Sequence, residues 1–203
     1  MTGFLKRDFY LMETNLRFYL LFIVAFAILA AFTDFSVAFL SIYVVIFAMS
    51  SVMGLFSYDD MSRWTAYGAA APAGRMAMVD ARYLLTLLIS VGISLFQMLI
   101  SLLGGEAGDL PMAALYGGGF LLYAAVTLPV CYHFGGTKAR TVMILIVAVM
   151  GALIGMGATT LQLSSGFGRV SLPSPFLLLP LAGIAALAIS WRVSLGIMGR
   201  KEL

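Results

Sequence analysis

The sequence predicts an all-α integral membrane fold of six transmembrane helices. Three observations carry that expectation: an apolar run recurs six times, charges fall at the boundaries of those runs, and basic residues gather on one side of them. Hydrophobic residues make up 62% of the chain and charged residues 10%, with a mean hydropathy of +1.04, well beyond what a soluble domain needs to fill its core. A helix rises about 1.5 Å per residue and the hydrocarbon layer is about 30 Å thick, so each crossing takes about 20 mainly apolar residues. The chain has room for several crossings and none for a separate soluble domain, and no Pro-, Ser- or charge-rich run separates two units. Residues 1–203 therefore read as a single transmembrane domain.

The elements follow in order. Residues 1–16 mix apolar and charged side chains with partly helical spacing, which suits a short interfacial helix with its aromatics in the headgroup layer. Lys6 and Arg7 ahead of an apolar stretch also resemble a signal peptide, but five comparable stretches follow, and Asp8 and Glu13 interrupt the positive segment. Spans are expected near 18–32, 35–58, 81–103, 112–134, 141–163 and 175–191. The first two are separated only by Thr33 and Asp34, a reversal that a helical hairpin can make.

Orientation follows from the basic residues. Lys6, Arg7, Arg17, Arg63, Arg75, Arg82, Lys138, Arg140, Arg192, Arg200 and Lys201 share one side of the six-span arrangement; the other side holds Arg169 with Asp34, Glu106 and Asp109. The basic side is expected to be cytoplasmic, with both termini there. An odd number of spans would scatter these charges.

Several chemistries are disfavoured. Ion-coupled transport usually needs an ionisable group at mid-bilayer, and none falls there in this arrangement. The single Cys131 rules out an internal disulfide and argues against a Cys-rich metal site, and His133 adds no cluster. Ser164-Ser165-Gly166 only faintly resembles a nucleophile turn, and His133 lies at the opposite membrane face. Gly135-Gly136-Thr137-Lys138 lacks the spacing and the strand-to-helix context of a phosphate loop, so it reads as a tight turn. If ATP drives the protein, a partner must bind it.

Small residues mark helix contacts. Gly151 and Gly155 form a GxxxG pair in the fifth span with Gly157 on a nearby turn, which lets two helix backbones approach within one chain or between two. Gly117-Gly118-Gly119 offers a similar close approach or a flexible point.

The loop over 58–82 is the most informative segment. Asp59 and Asp60 sit where a short helix can start, Asp59 and Arg63 are four apart with the acid first, and Trp64 and Tyr67 add large contact surfaces. Pro72 and Gly74 then break the helix before Arg75 and Arg82 lead into the third span. Such an element suits contact with another protein; its bland alternative is an amphipathic helix resting on lipid with Arg63 and Trp64 at the headgroups.

In order and spacing, these residues resemble the small six-span permeases of type-2 ATP-binding-cassette exporters, a bacterial group that includes peptide-exporting and antimicrobial-resistance systems. Lys6-Arg7-Asp8-Phe9 resembles the start of the family's N-terminal interfacial, or elbow, helix. Tyr58-Asp59-Asp60, Trp64, Pro72, Arg75, Val79 and Arg82-Tyr83 resemble its first cytoplasmic loop, and Leu128-Pro129 with Phe134-Gly135, Lys138 and Arg140 its second. Ser190, Ser194 and Arg200-Lys201-Glu202 resemble its tail. The chain departs from the family at Ala71, where Leu is usual, at His133, where a basic residue is common, and at Gly136, often aromatic.

The resemblance implies a bacterial plasma-membrane permease, not itself an enzyme, that packs against a second permease chain, identical or paralogous, and binds two copies of a separate ATPase. ATP and Mg would be bound on that ATPase and no cofactor or metal on this chain; membrane lipid surrounds it and nucleic acid is no partner. A coupling helix over 59–68 would seat in the ATPase, with Trp64 as the buried contact, Arg63 and Arg75 as charge partners, and Asp59, Asp60 and Tyr67 completing the surface. The interfacial helix with Lys6, Arg7, Asp8 and Phe9 would brace it. The first and fifth spans, with Gly151, Gly155 and Gly157, would meet the second permease. The cargo implied is an amphipathic or hydrophobic compound such as a peptide, moved outward by alternating access. Two other readings stay open from the residues: a substrate-capturing membrane component of a vitamin-uptake system, which would carry a ligand pocket near the outer face, and a non-transporting scaffold or sensor, which would lack an ATPase partner.

Overall fold

A computed structural model describes residues 2–32, 38–64, 67–68, 74–103, 110–146 and 175–200. All regular structure among them is helical: α1 (Thr2–Phe32), α2 (Ala38–Ser62), α3 (Gly74–Leu103), α4 (Leu110–Phe134), α5 (described over 136–146) and α6 (Pro175–Arg200). In lipid a backbone N–H or C=O has no water to bond, and a helix satisfies each within its own segment. Hydroxyls follow the same rule by bonding back one turn: Ser51 donates to the Phe47 carbonyl (2.9 Å), Thr86 to Arg82 (2.8 Å) and Thr127 to Tyr123 (2.8 Å).

Four segments are long and apolar enough to cross a membrane among the described residues: Tyr43–Ser62, Gly74–Leu99, Ala113–Phe134 and Leu178–Arg200. They match the expected second, third, fourth and sixth spans, although α2 starts three residues later and α3 seven residues earlier than expected. The expected first span lies inside α1. Thr2–Phe32 forms one unbroken helix, so no break separates an interfacial segment from a span near residue 17. The sequence explains this: after Gly3 it contains neither glycine nor proline before residue 33. Of the expected fifth span only 141–146 is described; Gly151, Gly155 and Gly157 lie outside the described residues.

The helices alternate in direction. Phe22 of α1 meets Phe47 of α2 with ring centroids 6.2 Å apart, and the Ser90 hydroxyl of α3 donates to the Gly117 carbonyl of α4 (3.1 Å). The most extensive pairing joins α4 to α6, which run parallel. A Cβ placed on Gly118 would lie 2.8 Å from the Leu179 carbonyl carbon and the Pro180 nitrogen, so only glycine permits that approach. Gly118 is thus a packing contact, while a Cβ on Gly119 beside it would meet nothing within 4 Å. Phe120, Ala124 and Leu128 carry the buried face of α4 into a core shared with Val52 and Phe56 of α2, Val79 and Tyr83 of α3, and Leu187 and Met198 of α6.

Glycines also make the breaks. Gly135 adopts φ 81° between α4 and α5; its N–H bonds the Cys131 carbonyl (2.9 Å) and its own carbonyl accepts from Ala139 (2.9 Å), closing one helix and opening the next. Gly74 starts α3 with φ 72°. Arg63, with φ 51°, ends α2 in a conformation that residues with a Cβ adopt sparsely. These junctions, the start of α1 and the end of α6 all fall at one end of the bundle, where the described basic residues other than Arg17 collect.

Candidate functional site

At that end two acids and two bases from three helices form one network. The Arg82 Nη2 of α3 donates to Asp59 Oδ2 at the end of α2 (2.7 Å), and its Nε and Nη2 reach Asp8 of α1 at 3.4 and 3.5 Å. Arg7 bridges the same carboxylates from the other side, with Nη2 2.6 Å from Asp59 Oδ1 and Nη1 3.3 Å from Asp8 Oδ1. Arg82, Asp59 and Asp8 are buried, with side-chain exposures of 2, 4 and 5%. Charges this far from water need partners that balance them, and two guanidiniums facing two carboxylates do so with no residual charge.

Aromatic rings complete the enclosure. The Arg82 guanidinium lies 4.2 Å from the Phe56 ring centroid and that of Arg7 4.2 Å from Trp64. Trp64 is half-buried, and its indole N–H finds no acceptor among the described residues. Just beyond it, a Cβ on Gly68 would lie 2.8 Å from the Met78 sulfur and 3.7 Å from the Phe4 ring, so the loop rests on α3 and on the first turn of α1. The start of α1 therefore braces the segment after α2 by an ion pair, a stacked guanidinium and an apolar contact.

Two smaller networks tie α6 and α5 to the same end. The Tyr83 hydroxyl sits 2.7 Å from both the Ser190 and Ser194 hydroxyls, and the Trp191 indole N–H donates to Asp80 (2.7 Å). Asp60 turns toward the start of α5 and accepts from the Thr137 N–H (3.3 Å), where a carboxylate complements the helix dipole.

The residues expected to form a partner-facing surface divide accordingly. Asp59 points inward and is consumed by Arg7 and Arg82, so any part it takes in docking is indirect. Asp60 is exposed but already serves α5. Arg63 and Tyr67 face outward, Tyr67 at 70% exposure, while Trp64 and Arg75 are half-buried. In α1, Lys6 and Phe9 are exposed whereas Arg7 and Asp8 turn in. Sequence spacing misses two exposed methionines beside this loop, Met61 at 83% and Met76 at 67%. It also misses the four-charge network, whose bonded pairs lie up to 74 residues apart. The available signal was scarcity: a chain with 21 acidic and basic residues keeps Asp8, Asp59 and Arg82 next to apolar runs.

The arrangement fixes helices to one another and leaves a partly apolar surface outside them. Long apolar helices with one charge-braced end define a multi-pass membrane protein. The chain belongs to the ABC-2 transporter family: residues 3–199 match the family described as ABC-2 family transporter protein. It is accordingly a membrane-spanning permease component of an ABC transporter, not its ATPase subunit, and the family implies partnership with an ABC ATPase. No curated protein and no solved structure matches the chain.

Proposed function

We propose that this permease works as an exporter, with six spans, the charge-braced end and both termini in the cytoplasm of a bacterial plasma membrane, and two ATPase copies docked on that end. The observation that carries the reading is the brace itself: Arg7 joins α1 to Asp59 and covers Trp64, so a push on the loop after α2 reaches α1 and α3 together. The excess of Lys and Arg at this end supports its cytoplasmic placement.

In this mechanism Met61, Arg63, Trp64, Tyr67 and Arg75 meet the ATPase, with Asp60 at the edge of the contact. ATP-driven closure of the two ATPases on two permease chains then tilts α1, α2 and α3 as a unit, a rigid-body switch between two packings. Gly151, Gly155 and Gly157 contribute to the permease–permease contact. ATP and Mg stay on the ATPase. The cargo is an amphipathic or hydrophobic compound, a peptide among them, which suits apolar helices with scattered hydroxyls.

The test is co-purification of the chain with its ATPase. Tyr67→Ala and Trp64→Ala lower both ATPase recovery and its stimulated hydrolysis; unchanged recovery and rate in both variants would overturn the docking assignment.

A further inference from the structure

Between α2, α4 and α5 a cleft of about 450 Å³ opens sideways from the bundle, within the range of built small-molecule sites. Its walls are Ile46, Met49 and Met53 of α2, Tyr123 of α4, and Met143 and Ile144 of α5. Three methionines give a polarisable, adaptable surface suited to an alkyl chain of no fixed shape. The Tyr123 hydroxyl is turned to the Met53 sulfur (3.4 Å), so it does not offer a strong donor to the cleft. From Ile46 to Met53 the α2 wall runs about 10 Å along the helix axis.

Arg140 also lines this cleft, one turn into α5. Its position contrasts with that of Arg7 and Arg82, whose guanidiniums are consumed inside the chain. Arg140 is exposed and forms no ion pair or hydrogen bond among the described residues. A cation unpaired among the described residues, beside an apolar slot in a membrane-spanning bundle, is complementary to one molecule class above others: a phosphate head with hydrocarbon behind it.

We infer that this cleft binds an anionic phospholipid of the surrounding bilayer, its phosphate on Arg140 and one acyl chain along Met49, Met53 and Met143. The lipid fills a gap between α2 and α5 that the described residues leave open, and holds α5 near its junction with α4.

The experiment uses the full chain in mild detergent, with phosphatidylglycerol and phosphatidylcholine as probes and native mass spectrometry as the readout. The wild type retains phosphatidylglycerol about fivefold better than phosphatidylcholine, the scale of one cation near an anionic headgroup. Arg140→Gln removes the preference, Arg140→Lys keeps it, and Ser50→Trp or Ile144→Trp, which fill the cleft from exposed positions, lower retention of both lipids. Equal retention of the two lipids by the wild type, a preserved preference in Arg140→Gln, or unchanged retention in both tryptophan variants overturns the inference. So does a cross-link from Ser50 to a second copy of the chain, which would place protein in the cleft.

Discussion

Arg82 of α3 and Asp59 of α2 meet at 2.7 Å, both all but removed from solvent, and the same carboxylate takes Arg7 of α1 at 2.6 Å. One aspartate thereby fixes three helices at the end of the bundle where the loop after α2 begins. Removing either partner strands a buried charge, which typically costs more than the pair contributes when intact.

Arg82→Gln should therefore lower the stability of the purified permease by about 3 to 5 kcal/mol, read as a drop in thermal midpoint in detergent. The Asp59→Asn and Arg82→Gln double variant should recover part of the loss, because both stranded charges vanish together. A coupling of about 0.5 to 3 kcal/mol in that double-mutant cycle is expected; strictly additive effects would mean the two residues act independently.

Tyr83 gives a milder case. Its hydroxyl is shared by Ser190 and Ser194 at 2.7 Å each, and Ser194 is fully enclosed. Tyr83→Phe leaves both serines short of a partner and should cost about 1 to 3 kcal/mol in a thermal melt. Converting both serines to alanine in that background should add little, since no polar atom then lacks a bond; a large further loss would point to packing instead.

These two networks show where sequence reasoning reaches and where it stops. Val52, Phe120 and Leu187 could be placed in spans because lipid demands long apolar runs, and helix length follows from bilayer thickness. The role of Asp59 could not be read that way. Four-residue spacing pairs it with Arg63, whereas Arg63 leaves the helix at φ 51° and the carboxylate goes to Arg7 and Arg82, 52 and 23 residues away. Local periodicity carries no information on such pairs. The similarity of Arg7-Asp8, Asp59, Arg82-Tyr83, Ser190 and Ser194 to family positions did mark them, without saying that they touch. The unbroken α1 has a different cause, since a helix without glycine or proline has nothing at residue 17 to end it.

Gly136 tests close packing at the α2–α5 junction. A Cβ there would lie 2.5 Å from the Phe56 carbonyl carbon and the Ser57 nitrogen, both backbone atoms that cannot rotate away. Gly136→Ala should destabilise by about 1 to 3 kcal/mol, and the aromatic often found in the family should be worse. Gly119 is the control, because a Cβ there meets nothing within 4 Å. Gly119→Ala should be neutral or stabilising by up to about 1 kcal/mol. Equal melts for the Gly136 and Gly119 variants would show that the junction is looser than these contacts describe.

Topology can be tested through the one cysteine. Cys131 is buried at 1% exposure, so Cys131→Ala should be accepted as a background for single cysteines elsewhere. Met61, Tyr67 and Lys138 are exposed at the charge-braced end, and none of them bonds Arg82 or Asp59. With that end in the cytoplasm, cysteines at these three positions, in cells that express the chain without its ATPase, should resist a membrane-impermeant maleimide while the cells are intact and react once the membrane is opened. Labelling of all three before permeabilisation would invert the protein and remove the surface proposed for the ATPase. Labelling at Lys138 alone would break the alternation of helix directions, because Asp60 and Thr137 hold the two segments within 3.3 Å of each other.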